Sequence, residues 1–331
     1  MPRFRPHFFP STKVSEWASG VITANPGIIP TYAGYFAGGD HGVTTVDRFL
    51  FADDSRTTLS TGLSQGVRIG AGIGNAGVAG YMCGGNTSGA PDVRWDHIDK
   101  FLFIDDTRST LDDTLSSTVD GCAGMSNSGT AGYVAGGYDG DAASYTSRVD
   151  KILFSSDSKS TISATLATAT GSVPAGLSNS GTAGYIGGGH DGSGTDVIDK
   201  LTFSGETIAT LSAVLSIARW SMTGVSNSGT AGYAAGGYDP GENWGTVDKL
   251  LFSNDTVSTL NATLTNDVYA QGGMANSGTA GYIGGGYESG VGDTAVLNKL
   301  TFSGETIAAL STGLSSARYN ATGFANSEAL I

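Results

Sequence analysis

Aromatic rings stand beside carboxylates in the short variable loops of this sequence, a pairing that suits carbohydrate. A ring stacks on the apolar face of a sugar while an acid accepts protons from its hydroxyls. The loops hold Asp40 and His41; Asn86 with Trp95 further on; Tyr138, Asp139 and Asp141; His190 and Asp191; Tyr238, Asp239 and Trp244; and Tyr287 with Glu288. Asp139-Gly140-Asp141 has the look of part of a calcium loop, but one short motif falls far short of a full oxygen cage. The plain alternative is that all of these are polar turn residues in exposed loops. Other chemistries find less support. The four histidines, His7, His41, His97 and His190, are scattered, and no phosphate-binding glycine loop, zinc spacing or nucleophile elbow is present. The expectation is a chain with no catalytic residue, metal or cofactor.

The elements that hold these loops come from one motif. Ser126-Asn127-Ser128-Gly129-Thr130-Ala131-Gly132-Tyr133-Val134-Ala135-Gly136-Gly137 returns five more times, with tyrosines at 35, 81, 133, 185, 233 and 282, spaced 46 to 52 residues apart. A period near fifty with strand-like content predicts propeller blades rather than a helical solenoid. In the fifth unit, Trp220–Ser226 reads as the first strand, Asn227-Ser228-Gly229 as a tight turn and Thr230–Gly237 as a small-residue second strand. Val247–Phe252 is the third strand and Thr256–Leu260 the outer fourth. The variable loops follow each double glycine, so a propeller would gather all six on one face.

Two further patterns repeat once per unit. Phe51, Phe103, Phe154, Phe203, Phe252 and Phe302 are expected between sheets. Beside them run Asp47-Arg48, Asp99-Lys100, Asp150-Lys151, Asp199-Lys200, Asp248-Lys249 and Asn298-Lys299. Adjacent strand residues face opposite sides, so these pairs are expected to bridge neighbouring blades, not each other. Gly34–Gly39 is a second strand with no first strand before it, and Arg318–Ser327 a first strand with no second after it. Together they should complete one blade, removing an exposed sheet edge. The fold expected is all-β: a six-bladed propeller over residues 33–331, closed by the C-terminal strand entering the N-terminal blade.

Residues 1–32 lie outside the repeat and mix five prolines with Arg3, Phe4, Arg5, Phe8, Phe9 and Trp17. Proline removes backbone donors, so an extended arm is expected, lying on a partner or on the protein's own propeller. The arm carries Arg3, Arg5 and Lys13 against Glu16, a net charge of +2, leaving −15 on the body of a chain whose total is −13. An acidic body argues against nucleic acid and anionic membranes as its partners. No signal-peptide core or membrane span is evident, and Cys83 and Cys122 read as free buried thiols.

The double glycines Gly38-Gly39, Gly84-Gly85, Gly136-Gly137, Gly188-Gly189, Gly236-Gly237 and Gly285-Gly286 give the chain a form that resembles the kelch repeat family over residues 33–331. Arg68, Arg219 and Arg318 match the arginine that kelch units carry before the first strand. The fourth-strand tryptophan is absent, a departure from the eukaryotic ligase-adaptor branch. The Gly/Ser/Thr-rich regularity looks like propellers of bacterial surface proteins and of bacteriophage tail or fibre proteins. Kelch-like propellers include a copper oxidase, but the scattered histidines offer no such ligand set. The resemblance implies a non-enzymatic structural and binding module, in the first instance a virion appendage protein. Its arm would dock on other structural proteins of an assembly, and its loop face would meet a partner or a host glycan. The expected setting is virion or extracellular without a cleaved signal, oligomeric in the assembly. An intracellular protein-interaction scaffold, cytoplasmic in that case, and a propeller enzyme with its site at the channel mouth are the alternatives.

Overall fold

The computed structural model describes residues 32–87 and 92–327; the arm residues Arg3, Phe4, Arg5, Phe8, Phe9 and Trp17 lie outside them. Among the described residues the regular elements are all β-strands. They form six four-stranded antiparallel sheets and three smaller ones. Sheet one contains Ala33–Ala37, Val46–Leu50 and Arg56–Thr58, with Thr322–Asn326 as its inner strand. Sheet two runs through Ala71–Asn75, Ala79–Asn86, Arg94–Leu102 and Arg108–Thr110. Sheet three is Ala123–Asn127, Ala131–Ala135, Val149–Leu153 and Ser158–Thr161; sheet four is Ala175–Asn179, Ala183–Gly187, Ile198–Thr202 and Thr207–Thr210. Sheet five is Thr223–Asn227, Ala231–Ala235, Val247–Leu251 and Thr256–Thr259; sheet six is Gly272–Asn276, Ala280–Gly284, Leu297–Thr301 and Thr306–Ala309.

Burial within a sheet follows residue type. The second strands, such as Ala183–Gly187, are buried throughout, and the outer strands, such as Thr207–Thr210, are mostly exposed. In five of the sheets the second strand stops at the double glycine, where both residues turn left-handed, as Gly236 at φ 67° and Gly237 at 112°; in sheet two it continues through Gly84-Gly85 with a register shift between Cys83 and Gly85. Such angles suit glycine and break the ladder. The strands are thus shorter than the sequence suggests: the inner strand of sheet five starts at Thr223 and not at Trp220, because Ser221 is itself left-handed at φ 53°.

The inner strands meet where no side chain fits. A methyl on Gly124 would be driven into the carbonyl of Gly72, one on Gly176 into that of Gly124, and one on Gly224 into that of Gly176. Gly273 lies against Thr223 and Gly224, Gly323 against Gly273, and Gly72 against Gly323. The six inner strands therefore contact one another in a closed order, an arrangement compatible with a propeller. The C-terminal strand has its place in that order, pairing with the first strand from Ala33–Asn326 to Ala37–Thr322.

Between sheets, each second-strand tyrosine is buried and stacks on the phenylalanine of the next sheet, as Tyr185 does on Phe252 with ring centroids 5.2 Å apart. Its hydroxyl donates to an acid in the next sheet's third-to-outer turn: Tyr35 to Asp106 (2.9 Å), Tyr81 to Asp157 (2.9 Å), Tyr133 to Glu206 (3.3 Å), Tyr185 to Asp255 (2.9 Å), Tyr233 to Glu305 (3.2 Å) and Tyr282 to Asp54 (2.7 Å). The same acids receive the third-strand cations: Lys100 reaches Asp157 at 2.6 Å and Lys200 reaches Asp255 at 2.7 Å. Arg48, Lys151, Lys249 and Lys299 do likewise with Asp106, Glu206, Glu305 and Asp54. The expected bridge between sheets is thus made by the cation. The neighbouring Asp instead holds the connection into its own sheet, as Asp248 accepts from the Ser216 N–H at 3.0 Å and hydroxyl at 2.9 Å.

Arg219 and Arg318 are fully buried and pair with Asp248 (3.1 Å) and Asp47 (2.9 Å). Arg68 does not share this role. It stands one register place later, where it bonds Asn86 at 2.8 Å and Asp40 at 3.2 Å. Cys83 and Cys122 are free and buried, and burial raises both thiols' pKa.

Two predictions follow from the inner-strand glycines and the tyrosines. Gly176→Ala is expected to lower stability by about 1–3 kcal/mol through overpacking against backbone. Gly205→Ala, whose nearest neighbour would be Thr207 at 3.7 Å, should leave it unchanged or slightly raised; thermal melts of the pair measure the difference. Burial, then the adjacent carboxylate, raises the six tyrosines' pKa, to about 12 for Tyr133. Unfolded phenols ionise near pH 10, so the folded state binds these protons more tightly. The stabilisation is complete below about pH 10 and is lost as pH rises from there toward the folded values. Phenolate absorbance should therefore appear for these six only together with loss of the β-sheet circular dichroism signal.

Candidate functional site

At the end of the sheets where the double-glycine loops emerge, the residues leading into each inner strand join across sheets through their backbones. Gly121 N–H donates to Ile69 O (2.8 Å), Val173 to Gly121 (3.0 Å), Ser221 to Ser172 (2.8 Å), Ala270 to Ser221 (2.7 Å), Asn320 to Ala270 (2.6 Å) and Ile69 to Asn320 (3.0 Å), which closes the cycle. Ile69, Ser172, Ser221, Ala270 and Asn320 adopt φ between 49° and 61° to do this. A left-handed non-glycine residue costs about 1–2 kcal/mol, so the cross-sheet bonds hold a conformation that the residues alone would leave.

The residue just before each left-handed one pairs with the residue just after the double glycine. The pairs are Tyr319 with Asp40, Arg68 with Asn86, Asp120 with Tyr138, Gly171 with His190, Trp220 with Tyr238 and Tyr269 with Tyr287. One backbone collar thus carries two kinds of side chain. Sheets one and two, with the start of three, present a charged stretch: Asp40 and Asn86 bond Arg68, Asn86 donates to Asp120 at 2.5 Å, and Arg94 Nε lies 3.0 Å from Asp120. Burial raises the Asp120 pKa against the opposing pull of Arg94 and Asn86.

The rest of the collar is aromatic and continuous. Ring centroids step from Tyr138 to Tyr145 (5.5 Å), His190 (5.5 Å), Trp220 (4.7 Å), Tyr238 (5.1 Å), Tyr269 (5.5 Å), Tyr287 (5.4 Å) and Tyr319 (5.8 Å). Every one of these side chains is half-buried. The charged stretch abuts both ends: Arg94 lies over the Tyr138 ring at 4.4 Å, and the Tyr319 hydroxyl bonds Asp40, its pKa pushed up to about 12 by burial and that carboxylate. Gly171 makes room for the inserted Tyr145, whose ring would lie 2.7 Å from a methyl at that position. His190 Nδ1 meets the Tyr145 hydroxyl at 3.0 Å. The hydroxyls of Tyr138, Tyr238, Tyr269 and Tyr287 have no hydrogen-bond partner among the described residues. They remain able to donate and accept.

Of the residues expected to bind, Tyr138, His190, Tyr238 and Tyr287 join this arc, and Asp40 stands at its end. Asp139, Asp141 and Glu288 serve their own turns. Asp139 accepts from Ser117 (2.8 Å), Arg148 (3.1 Å) and the N–H groups of Asp141 (3.0 Å) and Ala142 (2.9 Å). Burial would raise its pKa, but these donors outweigh that and lower it. Asp141 accepts from Thr118 and Glu288 from Asn266, while the exposed Asp191 receives only the Ser193 N–H at 3.3 Å. Asp239 is half-buried in its short strand, and exposed His41 meets Asp293 at 3.1 Å. Trp95 and Trp244 stand apart from the arc; Trp95 lies in the third strand of sheet two, edge-on to His97. Among the described residues no group of three His, Cys, Asp or Glu side chains is placed to hold a metal ion.

Sequence reasoning missed Trp220, Tyr269 and Tyr319, Arg94 and Tyr145. The first three share one place in the repeat, directly before the left-handed residue, so the period carried their signal. Arg94 and Tyr145 have no counterparts at that period.

No protein-family model matches this chain, and no curated protein does. A solved structure of YjhT is similar in fold, with a TM-score of 0.67 over 85% of this chain and 98% of that one, at 13% identity. Matches extend to 445 solved chains, a breadth that supports the fold and selects no activity.

Asp139→Ala is expected to cost about 2 kcal/mol, since a charged acceptor with four donors is removed. Asp191→Ala should lie within about 0.5 kcal/mol of the parent. Urea unfolding of the two variants measures both.

Proposed function

We propose that the six four-stranded sheets are the blades of a six-bladed, kelch-like propeller, and that this chain is a non-enzymatic structural and binding module. The reading is of a virion appendage protein, of the phage tail or fibre kind, oligomeric in its assembly. Residues 1–32 dock it on other structural proteins, and the loop end meets a partner or a host glycan. The observation that carries the binding part is the continuous, half-exposed aromatic arc built on a collar that is otherwise charged. Identical backbone with divergent side chains is how a repeat scaffold separates stability from recognition. The axis offers less: its wall is mostly glycine, alanine and serine, with no charged side chain among the described lining residues to hold a peptide.

Limited proteolysis and mass photometry of the full chain, against a chain starting at Tyr32, test the docking role. An arm that is cut readily while residues 33–331 resist, on a monomeric protein, is the expected result. A protected arm whose removal lowers the melting temperature would make it part of the propeller and overturn that role.

A further inference from the structure

We infer that the aromatic arc is an elongated binding strip for a linear, uncharged oligosaccharide, with Trp220, Tyr238, Tyr269 and Tyr287 as its centre. This deepens the loop-end binding reading above and rests on it. Four observations lead to this ligand class. The first is continuity: the four central rings follow one another at 5.1, 5.5 and 5.4 Å without a gap. A compact ligand would use one or two rings, and an extended one uses the run. The second is the state of the phenols. Tyr238, Tyr269 and Tyr287 direct no hydroxyl to another described residue, so each half-exposed ring offers apolar surface together with a donor and acceptor. Sugars present the same mixture of C–H faces and hydroxyls.

The third observation is charge. The nearby carboxylates Asp139 and Glu288 are engaged in their own loops and Arg94 is paired with Asp120, while Asp239 directly follows Tyr238 and Asp293 lies close enough to Tyr269 to raise its pKa, so the fixed charge near the strip's centre is negative. An anionic ligand would find no partner there. Single-stranded nucleic acid also stacks on aromatic rows, but it relies on a positively charged groove to track its backbone, and this chain carries −13. The fourth is the strip's ends. Arg94 over Tyr138 and Asp40 against Tyr319 stop the aromatic run with charged pairs. The strip is therefore finite and its two ends differ chemically, so a bound chain would lie in one direction.

The test uses the full-length protein and an array of linear neutral glucans, mannans, galactans and N-acetylhexosamine oligomers of graded length, followed by titration of the tryptophan fluorescence with any hit. A single-stranded oligonucleotide is titrated in parallel. Affinity is expected to rise with oligomer length and then level off. Trp220→Ala and Tyr269→Ala should each weaken it by roughly five- to tenfold, the size of one aromatic contact. Tyr238→Phe, which removes only a hydroxyl and preserves packing, should weaken it by about threefold. Trp95→Phe, away from the arc, should leave it unchanged. Circular dichroism melts establish that each variant is folded. Absence of binding by every neutral oligomer, binding without length dependence, or binding indifferent to Trp220→Ala and Tyr269→Ala overturns the inference, as does a preference for the oligonucleotide. The proteolysis test of the arm is independent of all these outcomes, so either reading can fail while the other stands.

Discussion

The structure depends on how closely six inner strands can approach. Gly72, Gly124, Gly176, Gly224, Gly273 and Gly323 each lie against the backbone or side chains of a neighbouring inner strand, where a single methyl would collide. Because the contacts run in a closed order, a displacement at one glycine cannot be relieved by spreading at a free edge. The serines of the same strands exploit this proximity: the Ser126 N–H donates to Ser178 Oγ at 2.9 Å, and the Ser178 N–H to Ser226 Oγ at 2.8 Å. Backbone groups that ordinary sheet pairing would leave open at the inner edge are satisfied by the next sheet.

Away from the inner strands, larger groups pack between the sheets. The tyrosine on its phenylalanine supplies the apolar contact, and the turn acid receives both the phenol and the cation of the preceding sheet. Each acid is left-handed, from 49° at Glu206 and Glu305 to 57° at Asp54 and Asp106. The turn is thus held in a conformation that aims the carboxylate across the gap. The acid, phenol and cation are only partly screened from one another by solvent, so each hydrogen bond is charge-assisted. Repeated six times and closed by Tyr282 on Asp54, the device joins sheet six to sheet one just as it joins the other neighbouring sheets.

This division frees the collar. Its backbone bonds hold the shape, and its side chains can vary without loss of the fold. Sheets five and six place aromatic residues at both collar positions, sheet two places Arg68 and Asn86 there, and both choices sit on the same hydrogen-bonded cycle. The aromatic arc is therefore a choice of side chains made on an invariant frame, which is the basis for reading it as a recognition surface.

The repeat tyrosines, the double glycines, the third-strand phenylalanines and the unpaired first and last strands were all legible in the sequence. Their period is local and their residue types have one physical use each: glycine for left-handed φ or close approach, tyrosine and phenylalanine for filling a gap between sheets. The pairing of Ala33–Ala37 with Thr322–Asn326 could be argued because each end lacked the other's strand. The site was legible only by half. Tyr138, His190, Tyr238 and Tyr287 stood out because they follow the double glycine, whereas Trp220 and Tyr319 read as first-strand residues and Tyr269 carried no distinguishing mark. What moved them to the collar was the left-handed turn after each, at Ser221, Ala270 and Asn320, and those turns exist because of hydrogen bonds to other sheets. Serine and alanine do not announce positive φ on their own. The sequence by itself determined which residues repeat; tertiary structure decided which of them touch, because the bonds that set the collar join residues some fifty positions apart, and one joins residues 69 and 320.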